Sequence, residues 1–109
     1  MRKELEMPEG LCAKGVAAYN AIVALLEKRN ALDTGGCKAF YSPAEWRERG
    51  EDYAQNAVLI VVHDGGDHAP YFNWDYGYAR GIEAVMAALL PHGVFAEQAT
   101  SWYSGIYPT

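Results

Sequence analysis

The residues whose types and spacing could do chemistry are His63, Asp64, Asp67 and His68, all within the stretch His63-Asp64-Gly65-Gly66-Asp67-His68. Imidazole and carboxylate are good ligands for a divalent ion such as zinc or manganese, and a tight turn would bring the two ends of this stretch together. Such a site would make the chain a small metal-dependent hydrolase, because a bound ion activates water. The spacing matches neither His-x-His-x-Asp-His nor His-Glu-x-x-His. Strand alternation would also send His63 and Asp64 to opposite faces. The competing reading is an acidic turn whose Asp side chains bond neighbouring backbone N–H groups while the imidazoles stay exposed. The missing ligand pattern favours the second reading.

Other candidates are weaker. Cys37 could act as a nucleophile if His63 or His68 stood beside it, yet no nucleophile motif surrounds it and small buried cysteines are common. Gly65-Gly66 is no phosphate loop, since no Lys or Ser/Thr follows at the needed positions and acidic residues flank it. The aromatic run Tyr71, Phe72, Trp74, Tyr76 and Tyr78 lacks interleaved Lys or Arg, so it is a poor platform for stacking nucleic-acid bases. Glu83 has no second carboxylate at helical spacing, which removes support for a glycosidase-like acid pair.

Two elements must position the His63–His68 turn. The run Ala57 to Val62 is apolar and rich in β-branched residues, which reads as a buried strand. After the turn, Tyr71 to Asp75 alternates as a returning strand with Phe72 and Trp74 on one face and Tyr71, Asn73 and Asp75 on the other. Pro70 cannot donate a ladder bond and marks the start of that strand. Ahead of this hairpin, Leu11 to Arg29 carries a helical stripe at Ala18, Tyr19, Ile22, Val23, Leu25 and Leu26. Cys37 to Tyr41 reads as a brief strand with Phe40 inward. Ser42-Pro43-Ala44-Glu45 has the form of a capping box, opening a short helix that ends at Gly50 with Trp46 as its core anchor. Beyond the hairpin, residues 76–90 read as a helix with a stripe at Ile82, Val85, Met86, Leu89 and Leu90. Residues 94–99 and 102–107 read as a final hairpin. Residues 1–10 read as a flexible N-terminal arm and 11–109 as a single α+β domain. The expected order is α-β-α-ββ-α-ββ, an antiparallel sheet of four to five strands with two long helices packed on one face. Val58, Ile60 and Val62 are expected beneath those helices. The opposite face is expected to be partly open and to carry Tyr71, Asn73 and Asp75, with Tyr103, Gly105 and Tyr107 from the last strand.

Charge is distributed unevenly across the 109 residues. The net charge is −5, yet residues 51–109 hold Arg80 alone against seven acids, Glu51, Asp52, Asp64, Asp67, Asp75, Glu83 and Glu97. Such a surface repels phosphate backbones, so direct nucleic-acid binding by this half is disfavoured and a protein partner with a basic surface is favoured. Half of the residues are hydrophobic and 13% are aromatic, which excludes a disordered chain. Cys12 and Cys37 are too few for a disulfide framework and read as reduced thiols. Arg2 and Lys3 are followed by Glu4 and Glu6 rather than by an apolar run, and no apolar stretch approaches the roughly 20 residues that span a bilayer. These features point to a cytoplasmic protein without membrane contact. The sequence therefore favours a non-enzymatic interaction protein that binds its partner through Asp64, Asp67, Tyr71, Asn73, Asp75 and Tyr103. In that reading, charge steers encounter and tyrosines supply contact area at low entropy cost. The metal-dependent hydrolase at His63, Asp64, Asp67 and His68 is the alternative.

The C-terminal two thirds, with NAVLIVVHDGGDHAPYFNWDYGY and the ending WYSGIYP, resembles small uncharacterised proteins carried on bacterial plasmids and phages. That resemblance brings no activity and no functional residues with it. It implies an accessory role for a mobile genetic element, such as an anti-defence inhibitor that occupies a basic surface on a larger protein.

Overall fold

The apolar run beginning at Ala57 forms β2 (Leu59–Val62), an inner strand of the sheet in the computed structural model, which describes residues 2–109. All four β2 side chains are buried, as expected for a strand covered on both faces. β2 pairs antiparallel with β4 (Tyr103–Pro108), Leu59 opposite Ile106 and Val62 opposite Tyr103. On its other side β2 pairs with β1 (Phe40–Tyr41), and β3 (Val94–Gln98) pairs with β4, so the order is β1-β2-β4-β3. Among the described residues the architecture is α+β: an open antiparallel sheet of four strands with three α-helices.

Residue parity along β2 divides the core. Leu59 and Val61 pack with α1 (Ala13–Lys28) and α3 (Ala79–Leu89), whereas Ile60 and Val62 pack with Trp46 of α2 (Pro43–Arg49) and with Tyr103. The expectation that Ile60 and Val62 lie beneath the two helices is therefore corrected by one residue. An unbroken apolar run has no alternation to set its phase, and a single step exchanges the faces. The second face is not open either. Trp46, Tyr41, Trp102 and Tyr103 close it as a ring cluster, with Trp46–Tyr103 centroids 4.8 Å apart and Trp46–Tyr41 centroids 5.1 Å apart.

The helical stripe of α1 buries Ala18, Tyr19, Ile22, Val23 and Leu26, each large aliphatic side chain contributing about 1.5–3 kcal/mol. The capping box of α2 is complete. Ser42 Oγ accepts from Glu45 N at 3.1 Å, and a Glu45 carboxylate oxygen accepts from Ser42 N at 2.9 Å. Within the segment read as an arm, Lys3–Leu5 form a 3-10 turn and Leu5 is buried in the main core. Tyr19 Oη donates to the Leu5 carbonyl, and Ala39 N donates to the Glu4 carbonyl at 2.9 Å. Buried Leu5 and Pro8 and these two bonds dock the segment; Met1 lies outside the described residues.

The returning strand expected at 71–75 is absent, so one strand stands where a hairpin was expected. Ala69–Tyr71 and Trp74–Tyr76 are 3-10 turns instead. Both edges of β2 are taken by β1 and β4, leaving no ladder for a returning strand to join. The chain is drawn elsewhere: Asp67 N donates to the Asp33 carbonyl at 2.6 Å. Gly66 sits at φ +84° so close to Thr34 that a Cβ would lie 2.5 Å from a backbone carbon, so only glycine allows this crossing. The third helix also begins later than expected, at Ala79, because Gly77 takes a left-handed conformation after the second 3-10 turn.

Candidate functional site

The two histidines that flank the turn prove to be interior. His63 is 1% exposed and His68 is fully buried. His68 Nε2 lies 2.7 Å from the Val62 carbonyl, which can only accept, so the proton is on Nε2 and Nδ1 holds a lone pair. This bond folds the turn back onto the end of β2. His63 Nε2 lies 2.9 Å from Ser104 Oγ of β4, and its ring stacks on Phe72 with centroids 5.7 Å apart. His68 meets the same Phe72 edge-on at 6.4 Å. Neither Nδ1 has a hydrogen-bond partner among the described residues. Burial pushes the His63 imidazole down to about 4, and repulsion from His68 adds to it. Burial lowers His68 as well. Both rings are neutral at neutral pH, since a buried imidazolium would forfeit its hydration.

Asp64 and Asp67 are exposed on the same turn, so the four residues are not brought together as one ligand set. Among the described residues, no group of three or more His, Cys, Asp or Glu side chains is placed to hold a metal ion. Cys37 Sγ donates to the Thr34 carbonyl at 3.2 Å, and burial raises its pKa. A thiol held protonated is a poor nucleophile.

The residues expected to form a partner-binding face are separated. Tyr71, Asn73 and Tyr103 are buried, and only Asp64, Asp67 and Asp75 of that set are exposed. Tyr71 packs edge-on against Tyr78 at 5.4 Å. Tyr103 fills the second core beside Trp46, its hydroxyl accepting from Tyr53 N at 3.3 Å. Asn73 is a clamp. Its Oδ1 accepts from Asp75 N at 2.9 Å and from Gln98 Nε2 at 3.0 Å, while Nδ2 donates to the Ser101 carbonyl at 3.0 Å.

What this clamp holds is the feature that strand alternation hides. Trp74 and Tyr76 are 56% and 52% exposed, and Tyr78 is 37% exposed. They flank Asp75 on a backbone fixed at several points: Trp74 N donates to Gln98 Oε1 at 3.0 Å, and Gly77 N donates to the Trp74 carbonyl at 3.0 Å. Gly81 leaves room for the Tyr78 ring, because a Cβ there would stand 2.5 Å from it. Met86 and Leu90, read as core residues of α3, are exposed. Trp74 and Met86 line one small gap of about 20 Å³ together with Ala96 and Gln98 of β3. The signal for this turn was present in Asn73-Trp74-Asp75-Tyr76-Gly77, where Asn can cap a turn and Gly can close it. Among the described residues no helix is long and apolar enough to cross a membrane.

No family model, no curated protein and no solved structure matches this chain.

Proposed function

We propose that the chain is a non-enzymatic binding module that engages a protein partner with a basic surface, using the Trp74–Tyr78 turn as its contact. The observation that carries this reading is the exposure of Trp74 and Tyr76, each more than half open to solvent, on a turn whose backbone is pinned by Asn73 and Gln98. Folding gains little from aromatic rings left in water, whereas binding gains most from large, rigid anchors whose ordering cost is already met. Asp75, between the two rings in the chain, is exposed, as are Asp64, Asp67 and Glu83 of the same half, while Arg29 reaches Tyr71. Arg80 is the one base in residues 51–109. A negative field of this kind accelerates encounter with a basic partner, while the aromatic contacts set the lifetime of the complex.

The resemblance to plasmid- and phage-borne proteins suggests the specific form of this role, an accessory or inhibitor that covers a basic surface of a host protein. Affinity capture from a bacterial extract, with quantitative mass spectrometry, tests the reading. The wild-type chain should enrich a protein that the Trp74→Ala/Tyr76→Ala double variant does not. Equal enrichment by both chains would contradict it.

A further inference from the structure

Resting on that reading of the Trp74–Tyr78 turn, we infer that the free edge of β3 accepts an extended segment of the partner as a fifth strand, its basic side chains directed toward Glu97. β3 is an edge of the sheet, paired with β4 alone. The bonds from Thr109 N to the Gly93 carbonyl and from Ala99 N to the Tyr103 carbonyl bracket the β3–β4 ladder at 2.9 Å and 3.1 Å. With the register Phe95 opposite Tyr107 and Glu97 opposite Gly105, those two residues turn both backbone groups toward β4. Val94, Ala96 and Gln98 then turn theirs outward, by the alternation of an antiparallel pair. Natural sheets blunt such edges with proline, bulges, very short strands or charged side chains, and of these β3 carries only one charge, Glu97. The other edge, β1, is only two residues long, but β3 is a five-residue strand without proline.

The surroundings of this edge specify what would lie on it. On the helix side, Trp74 and Met86 stand exposed beside Ala96 and Gln98, offering apolar surface for side chains to lie against. On the opposite side, Phe95 packs against Tyr107 at 5.8 Å, next to exposed Glu97. An added strand sends alternate side chains to the two sides. The complementary segment therefore alternates apolar residues, facing Trp74 and Met86, with Lys or Arg facing Glu97. A second copy of this chain is a poorer occupant, because it would set two acidic halves against each other. Backbone bonds along the edge would supply affinity and the two lined sides specificity, the usual division in strand addition.

The test titrates the isotope-labelled full-length chain with a synthetic peptide of alternating Lys and Val, followed by amide resonances. The expected result is a shift and slowed exchange at Ala96 and Gln98. The response should be lost when alternate peptide nitrogens are methylated, which keeps charge and side chains but removes the ladder donors. Ala96→Pro should abolish the response too, since it removes an outward donor without touching the β4 ladder; the methylated peptide gives the same information should that variant not fold. Shifts confined to residues 74–78 and unaffected by methylation would overturn edge addition while leaving the aromatic contact standing. No response anywhere overturns the inference. So does a concentration-dependent change at Ala96 without peptide, which would assign the edge to a second copy.

Discussion

The turn at residues 63–68 and the turn at residues 73–78 allocate their residues in opposite ways. The first carries side chains that usually do chemistry, and it hides both imidazoles, spending them on Val62 and Ser104 as internal pins. The second carries side chains that usually build cores, and it leaves Trp74 and Tyr76 more than half exposed. Phe72 joins the two, touching both histidine rings just before Asn73 begins the second turn. The difference teaches that residue type does not by itself assign function. What distinguishes the turns is whether the polar groups serve the fold or hold something outside it.

The comparison breaks most readily at Phe72. Phe72→Ala should remove the ring that both imidazoles lean on and cost about 3–5 kcal/mol in a urea titration. A loss under about 1 kcal/mol would show that the histidine turn is not packed as part of the core. Acid provides the next largest effect. His63 titrates near its ordinary 6.5 in the unfolded chain but at about 4 in the folded one. As pH falls through that window the unfolded state takes up the proton first, so stability declines with falling pH, by about 3 kcal/mol for this residue alone. His63→Gln should flatten that part of the pH profile. An identical profile for the two chains would mean that the His63 ring reaches water.

Smaller effects separate clamp from anchors. Asn73→Ala removes three hydrogen bonds from a buried amide and should lower stability by about 1–3 kcal/mol. The Trp74→Ala/Tyr76→Ala double variant should stay within about 0.5 kcal/mol of the wild type in the same titration, as exposed positions do. A large loss there would make the two aromatics structural and erase the contrast between the turns.

Much of the fold was legible because local chemistry and tertiary packing agree. Ser42 and Glu45 specify a capping box that forms, and the spacing of Ala18, Ile22 and Leu26 specifies the buried face of α1. What was misread depended on information held far along the chain. The phase of Leu59–Val62 is set by α2 and by β4, not by the run itself. The aromatic stretch 71–75 has the composition of a strand, but β1 and β4 already occupy both sides of β2. With the strand went the alternation that had placed Tyr71, Asn73 and Asp75 on one face. Asp64, Asp67 and Asp75 are exposed all the same.

The most direct test of the central claim is the affinity of the captured partner for the Trp74→Ala/Tyr76→Ala variant, measured by titration calorimetry beside the wild type. If the rings are binding anchors, affinity should fall at least about tenfold, in line with 1–3 kcal/mol per hot-spot aromatic, while the variant melts with the wild type. An unchanged dissociation constant in a folded variant would contradict the account and move the contact away from the Trp74–Tyr78 turn.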